Sequence, residues 1–220
     1  MDTLTPVITI STIHFIALMS PGPDFTLVVQ NATRYGRPTG LAIALGLACG
    51  ILLHSIFSIT GVSLIVHQHP LLFSLMQIIG GGYLLYLGYG ALTAVWLHRH
   101  TPTVAESSSD KSPLLLANRR QAFSRGFATN ILNPKALVFF VSLMSSLVPA
   151  DMSISIKTLT VVILFVLSLS WFSFLAWVLS TPRLQNKLQS AARYIDALCG
   201  LVFTLIAITI LYQAMLRLLS

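Results

Sequence analysis

The sequence predicts an all-α integral membrane protein in which six transmembrane helices form two inverted three-helix repeats. Three observations carry this expectation. The 220 residues are 55% apolar and only 9% charged, whereas soluble domains carry charge on roughly a quarter of their residues. Histidine aside, nothing charged occurs from Pro38 to Leu97, a stretch about three times the roughly 20 residues that one spanning helix needs. Finally, two of the apolar segments contain proline motifs next to an ionisable residue, at corresponding places in the two halves of the chain.

The first span is expected at about 4 to 29 and contains "HFIALMSPGPDFTLVVQ". Pro21, Gly22 and Pro23 interrupt it, because proline has no N–H to donate and leaves carbonyls near Ala17 and Met19 without their helical bonds. Asp24 follows at once. The second span, about 39 to 66, includes the small-residue stretch "GLAIALGLACG", whose Gly46 and Gly50 suit close helix contact. "HQHP" (His67 to Pro70) makes the turn into the third span, about 70 to 97, where Gly80 to Gly82 serve packing in the same way. The polar stretch from His98 to Gln121, rich in serine, proline and charge, reads as a mobile linker. The fourth span, about 123 to 148, has its own break at Asn133-Pro134-Lys135, with Pro134 freeing the carbonyl near Asn130. Spans five and six are expected at about 156 to 179 and 194 to 216. The chain thus divides into a first repeat (1–97), a cytoplasmic linker (98–122) and a second repeat (123–220), forming a single transporter domain.

Charge sets the orientation. Of the 13 lysines and arginines, ten lie in the loops after spans one, three and five, two (Lys157 and Arg217) lie on the opposite side, and Lys135 lies within a span. The positive-inside rule then places the odd-numbered loops in the cytoplasm and both termini outside. This bias accounts for the net charge of +7, and no basic-aromatic interleaving suggests nucleic acid. Asp2 stands where a cleaved signal peptide carries basic residues, so no such peptide is expected. Cys49 and Cys199 lie in apolar runs and read as buried small hydrophobes.

The repeat rests on two correspondences. Aligning Pro23 with Pro134 sets Asp24 against Lys135; likewise, Gln77 precedes Gly81 by the same four residues that separate Asp196 from Gly200. Interrupted helices at matching positions of inverted repeats build the binding sites of secondary transporters near the bilayer midplane. Asp24 lies ten residues before Arg34, and Lys135 ten after Arg125. At about 1.5 Å per residue, each is roughly 15 Å from a basic flank, half the thickness of a core about 30 Å deep. Unpaired charges there are costly and face the bundle interior, and the simplest partner for Asp24 is Lys135. With freed carbonyls, helix-end N–H groups and the amides of Asn130 and Asn133, the set suits a zwitterion, its amine on Asp24 and its carboxylate on Lys135 and a helix N-terminus. The plainer alternative is a kinked helix pair locked by a salt bridge.

Three other ionisable residues are secondary candidates. Asp196, just after Arg193, reads chiefly as a charge at the N-terminus of the sixth helix. His14 and His54 lie within spans one and two as satisfied core groups or proton relays. A bis-histidine haem protein using that pair is one alternative function, and a passive amino-acid channel or facilitator is another. No H-E-x-x-H or G-x-S-x-G motif occurs, so hydrolase chemistry is not expected, and no cofactor or metal is implied.

"ALMSPGPDF" (Ala17 to Phe25) and "NILNPKALVFF" (Asn130 to Phe140), each beside basic residues, resemble the two signatures of the LysE/RhtB family of bacterial amino-acid exporters. The likeness extends over essentially the whole chain and is nearest to the family's threonine and homoserine efflux branch. It implies a protein of the bacterial inner membrane that exports small neutral amino acids in exchange for protons, with lipid around it and a homodimer as one possible assembly. It also implies Pro21, Gly22, Pro23, Asp24, Asn133, Pro134 and Lys135 as site residues.

Overall fold

The computed structural model describes residues 4–20, 22–68, 70–97, 118–149, 151–178 and 182–219. Pro21, His69 of the expected turn and residues 98–117 of the linker lie outside the described residues. Among those described, every regular element is a helix: α1 (Leu4–Met19), α2 (Pro23–Tyr35), α3 (Arg37–Gln68), α4 (Pro70–Leu97), α5 (Arg119–Ile131), α6 (Pro134–Leu147), α7 (Ile154–Val178) and α8 (Pro182–Leu219).

The six expected spans account for all eight. α3, α4, α7 and α8 are each long and apolar enough to cross a membrane, and two bent pairs supply the others: α1 with α2 at 55°, and α5 with α6 at 56°. Both bends fall where proline removes a backbone donor. Tyr35 ends α2 because Gly36 adopts φ 83°, a left-handed conformation that glycine takes without steric cost.

The sixth helix departs from expectation. It starts at Pro182, well before position 194, so the polar run "PRLQNKLQSAARY" extends the apolar span at its N-terminal end. Proline fits the first turn of a helix, where its missing N–H has no partner to lose. As a consequence Asp196 lies inside α8 and not at its N-terminus, which corrects the helix-end reading of that residue.

Large apolar side chains lie outside as well as in the core, and several polar ones lie inside. Phe57, Ile79, Tyr86 and Tyr212 are exposed, whereas His14, His54, Gln77, Asn130, Ser142, Ser145 and Ser168 are buried. Lipid solvates large apolar side chains as well as a protein core does, so close backbone approach holds the helices together. A Cβ on Gly46 would come within 2.1 Å of the Phe123 carbonyl, and one on Gly126 within 2.4 Å of the Ile43 carbonyl. α3 and α5 therefore meet backbone to backbone. α4 and α8 meet in the same way, since a Cβ on Gly88 would approach the Gly200 carbonyl to 3.0 Å. Gly80 abuts Ser142 and Gly81 abuts Leu211, while a Cβ on Gly82 would meet nothing within 4 Å. Packing thus explains the first two glycines of that run and not the third.

Candidate functional site

The two breaks converge. A pocket between them is lined on its polar side by Ser20, Gly22, Pro23, Asp24, Asn130, Asn133 and Lys135, and on its apolar side by Leu18, Ile51, Phe139, Phe140, Phe172 and Phe203, with His14 also on the wall. The residues that the sequence assigned to a site are thus brought together from both halves of the chain. Pro21 lies outside the described residues, Pro134 shapes the site as the first residue of α6, and His54 and Asp196 are not among the lining residues.

The expected Asp24 to Lys135 salt bridge is not formed. Asp24 Oδ2 accepts from Asn130 Nδ2 at 2.6 Å and Asp24 Oδ1 from Asn133 Nδ2 at 3.3 Å. Lys135 Nζ donates instead to Ser20 Oγ at 2.9 Å and lies 5.8 Å from the centre of the Phe203 ring. The physical reason is the supply of amides at the break: two Nδ2 donors reach the carboxylate, and bonds to a charged acceptor are the stronger kind. Each charge therefore has neutral hydrogen-bond partners. Of the three donors on an ammonium, one goes to Ser20.

Asn133 acts twice. Its Oδ1 accepts from the Lys135 backbone N–H at 3.0 Å, capping α6, while its Nδ2 serves Asp24. α2 has no such cap: its N-cap is Gly22, without a side chain to offer, so no side chain caps the first N–H groups of α2 beside the pocket. That terminus carries partial positive charge suited to an anion. Gly22 is extended, with φ −168°, and a Cβ there would stand 3.7 Å from Lys135 Nζ, an ordinary van der Waals contact.

Three carbonyls at the breaks find partners. Asn130 O, released by Pro134, accepts from the Asn133 N–H at 3.1 Å and faces His54 Nε2 at 3.1 Å. Ala17 O accepts from the Ser20 N–H at 3.2 Å, and Ile16 O faces Cys199 Sγ at 3.2 Å. Cys199 is therefore more than a small hydrophobe, and Cys49 is half-buried. Both histidines already use Nε2, His14 on Ser168 Oγ at 2.8 Å and His54 on Asn130 O, and the Phe140 ring lies against both, at 5.4 and 6.1 Å. No group of three or more metal-ligating side chains occurs among the described residues.

Sequence reasoning missed Ser20 as the lysine's partner and Gly50 as the floor beneath Asn130. A Cβ on Gly50 would come within 2.6 Å of Asn130 Oδ1, so this glycine makes room for the amide that holds Asp24. The signal was present in its spacing from Gly46, four residues away, but packing alone accounted for it there.

Two helices broken at prolines, with Asp24, Lys135 and a helix N-terminus that no side chain caps around one pocket in a bundle of up to six membrane spans, fit a membrane transporter. The LysE type translocator profile matches residues 15–214, and the chain belongs to that family. It is similar to the threonine efflux protein of Escherichia coli K12, 30% identical over 197 residues that cover 89% of this chain and 92% of the relative. The threonine efflux protein of Salmonella typhi is 29% identical over 195 residues, covering 89% and 92%. No solved structure matches.

Proposed function

We propose that the protein exports small neutral amino acids of the threonine and homoserine type from the cytoplasm across the bacterial inner membrane, by proton antiport with alternating access. The observation that carries this reading is the separation of the two central charges. Because Asp24 is held by asparagines and Lys135 by Ser20, neither charge is neutralised by direct contact with the other. A zwitterion has a place for each end: its ammonium on Asp24, its carboxylate on Lys135 and the uncapped start of α2. Asp24 then alternates between proton and substrate ammonium, which links the two fluxes. Relatives named as threonine efflux proteins support the substrate class.

The same proposal takes the halves 1–97 and 123–220 as inverted repeats joined by a cytoplasmic linker, with both termini periplasmic. The tight α4 to α8 contact, between helices assigned equivalent places in the two repeats, supports it. A homodimer in lipid belongs to the proposal and is checked by crosslinking in native membranes.

The test is flux of labelled threonine in proteoliposomes, with and without an imposed pH gradient, for the wild type and Asp24→Asn. Uphill accumulation driven by the gradient and lost in the variant supports the proposal. Flux in the wild type that ignores the gradient identifies a passive channel. Unimpaired gradient-driven flux in Asp24→Asn removes Asp24 from coupling.

A further inference from the structure

The pocket-lining faces of α3 and α6 continue past the pocket as polar faces. On α6, Lys135 and Phe139 line the pocket, and Ser142 and Ser146 follow at the helical spacing of three and four residues. On α3, Ile51 lines the pocket, and His54 and Ser58 follow in the same way. Both faces run away from the basic ends of their segments, marked by Arg37 and by Arg119, Arg120 and Arg125. α4 packs on α3 and α6 there and brings Ser74 and Gln77, three residues apart. Ser58, Ser74, Gln77, Ser142 and Ser145 are all buried. Ser142 and Ser145 tie no helices together, since their hydroxyls donate to Val138 O at 2.7 Å and to Ser142 O at 3.0 Å within α6. Gln77 Nε2 crosses the seam, from α4 to Ser145 O of α6 at 3.1 Å. Because that acceptor is a carbonyl, the amide oxygen of Gln77 is left for another partner. Gln77 Oε1, Ser58 Oγ and Ser146 Oγ are buried with no hydrogen-bond partner among the described residues. Polar groups left so are costly, and helix packing alone gives no reason for them.

Resting on the reading above, in which an amino acid held at Asp24 and Lys135 leaves by alternating access, we infer that the seam between α3, α4 and α6 is the half of the substrate's path opposite the basic flanks, closed in this structure. The bond from Gln77 to Ser145 is the latch across it. Ser145 lies ten residues beyond Lys135, roughly 15 Å along a helix, so the seam reaches from the pocket to that face of a core about 30 Å deep. A zwitterion leaving the pocket needs walls that donate and accept hydrogen bonds. The hydroxyls and amide oxygen that lack partners in the closed seam gain them when it parts and fills with water or substrate. Phe139, between Lys135 and Ser142 on the same face of α6, separates the site from the seam.

The experiment is the reaction of single cysteines with a charged, membrane-impermeant methanethiosulfonate, applied to either face of the membrane, in a chain with Cys49 and Cys199 replaced by alanine. Ser58→Cys and Ser145→Cys are expected to react from the face opposite the 98–117 linker. The control is Ile210→Cys, equally buried but packed against Gly81 in the contact between α4 and α8. Because local opening sets the rate at a buried site, the seam cysteines should react roughly tenfold faster than the control. Modified Ser145→Cys should no longer export labelled threonine. Reaction as slow as the control at both seam positions, with and without threonine and a pH gradient, overturns the inference while leaving amino-acid export intact. Reaction from the linker face alone, or modification that leaves threonine export unchanged, overturns it as well. If the chain without native cysteines fails to export, the same variants are made with Cys49 and Cys199 kept, and the unsubstituted protein supplies the blank. A wild type that moves no threonine overturns the transport reading and the path with it.

Discussion

The two helix breaks are built alike in sequence and held differently in space. The break between α5 and α6 closes on itself: Asn133 caps α6, the Asn133 N–H bonds the Asn130 carbonyl, and His54 reaches the same carbonyl from α3. At the break between α1 and α2, no side chain caps α2. Its two polar side chains, Ser20 and Asp24, bond Lys135, Asn130 and Asn133 of the other break. One break is a frame, and the other is tethered to it through the pocket. Under the proposed function, a ligand that took Asp24 and Lys135 would compete with those tethers and so with what holds α1 and α2 to the other break.

The sharpest way to break this contrast is Asn130→Ala. It removes the shorter of the two bonds to the part-buried carboxylate of Asp24, a charge-assisted contact of about 1.5–3 kcal/mol, and releases α2. Threonine flux should fall close to background and the melting temperature in detergent should drop by several degrees. An unchanged melting temperature would show that α2 is held by something else. Gly50→Ala should follow in the same direction with a smaller effect. Its new Cβ would stand 2.6 Å from Asn130 Oδ1 and push the amide off Asp24, so flux should fall although no binding group is lost. Gly82→Ala, with open space around its Cβ, is the matched control and should be neutral.

Asn133 separates its two roles through a pair of variants. Asn133→Ser keeps a cap acceptor on α6 but is too short to reach Asp24, so stability should stay near wild type while flux declines. Asn133→Ala loses both contacts and should cost about 1 kcal/mol more, the ordinary worth of an N-cap. Equal thermal stability of the two variants would remove the cap from the account of the frame.

The spans and both breaks were legible because the bilayer imposes length and apolarity, and proline imposes its missing donor, one residue at a time. Asp24, Lys135, Asn130 and Asn133 were legible as a group because charges and amides at that depth need company. Their pairing was not, since the choice between Lys135 and two asparagines for Asp24 depends on a few ångströms of relative placement of α2, α5 and α6. Ser20 was hidden for the same reason. Gly50 was ambiguous because a glycine in an apolar helix signals close approach without saying to what. The length of α8 escaped because its first turns are polar, and hydropathy reports the membrane crossing, not the helix.

His54 offers the smallest and most specific test of the frame. It faces the carbonyl freed by Pro134 and stacks on Phe140 with ring planes 7° apart. His54→Phe keeps the stacking and removes the hydrogen bond, leaving Asn130 O with the Asn133 N–H alone. Because a carbonyl has two acceptor sites and one stays filled, the cost should be no more than about 1 kcal/mol. Hydrogen exchange measured along the chain should show faster exchange at Asn133 and in the first turn of α6. The first turn of α2, tied to the frame through Asp24, should change less. Equal loosening of both helices would mean that the breaks share one support, and the distinction between frame and tether would fail.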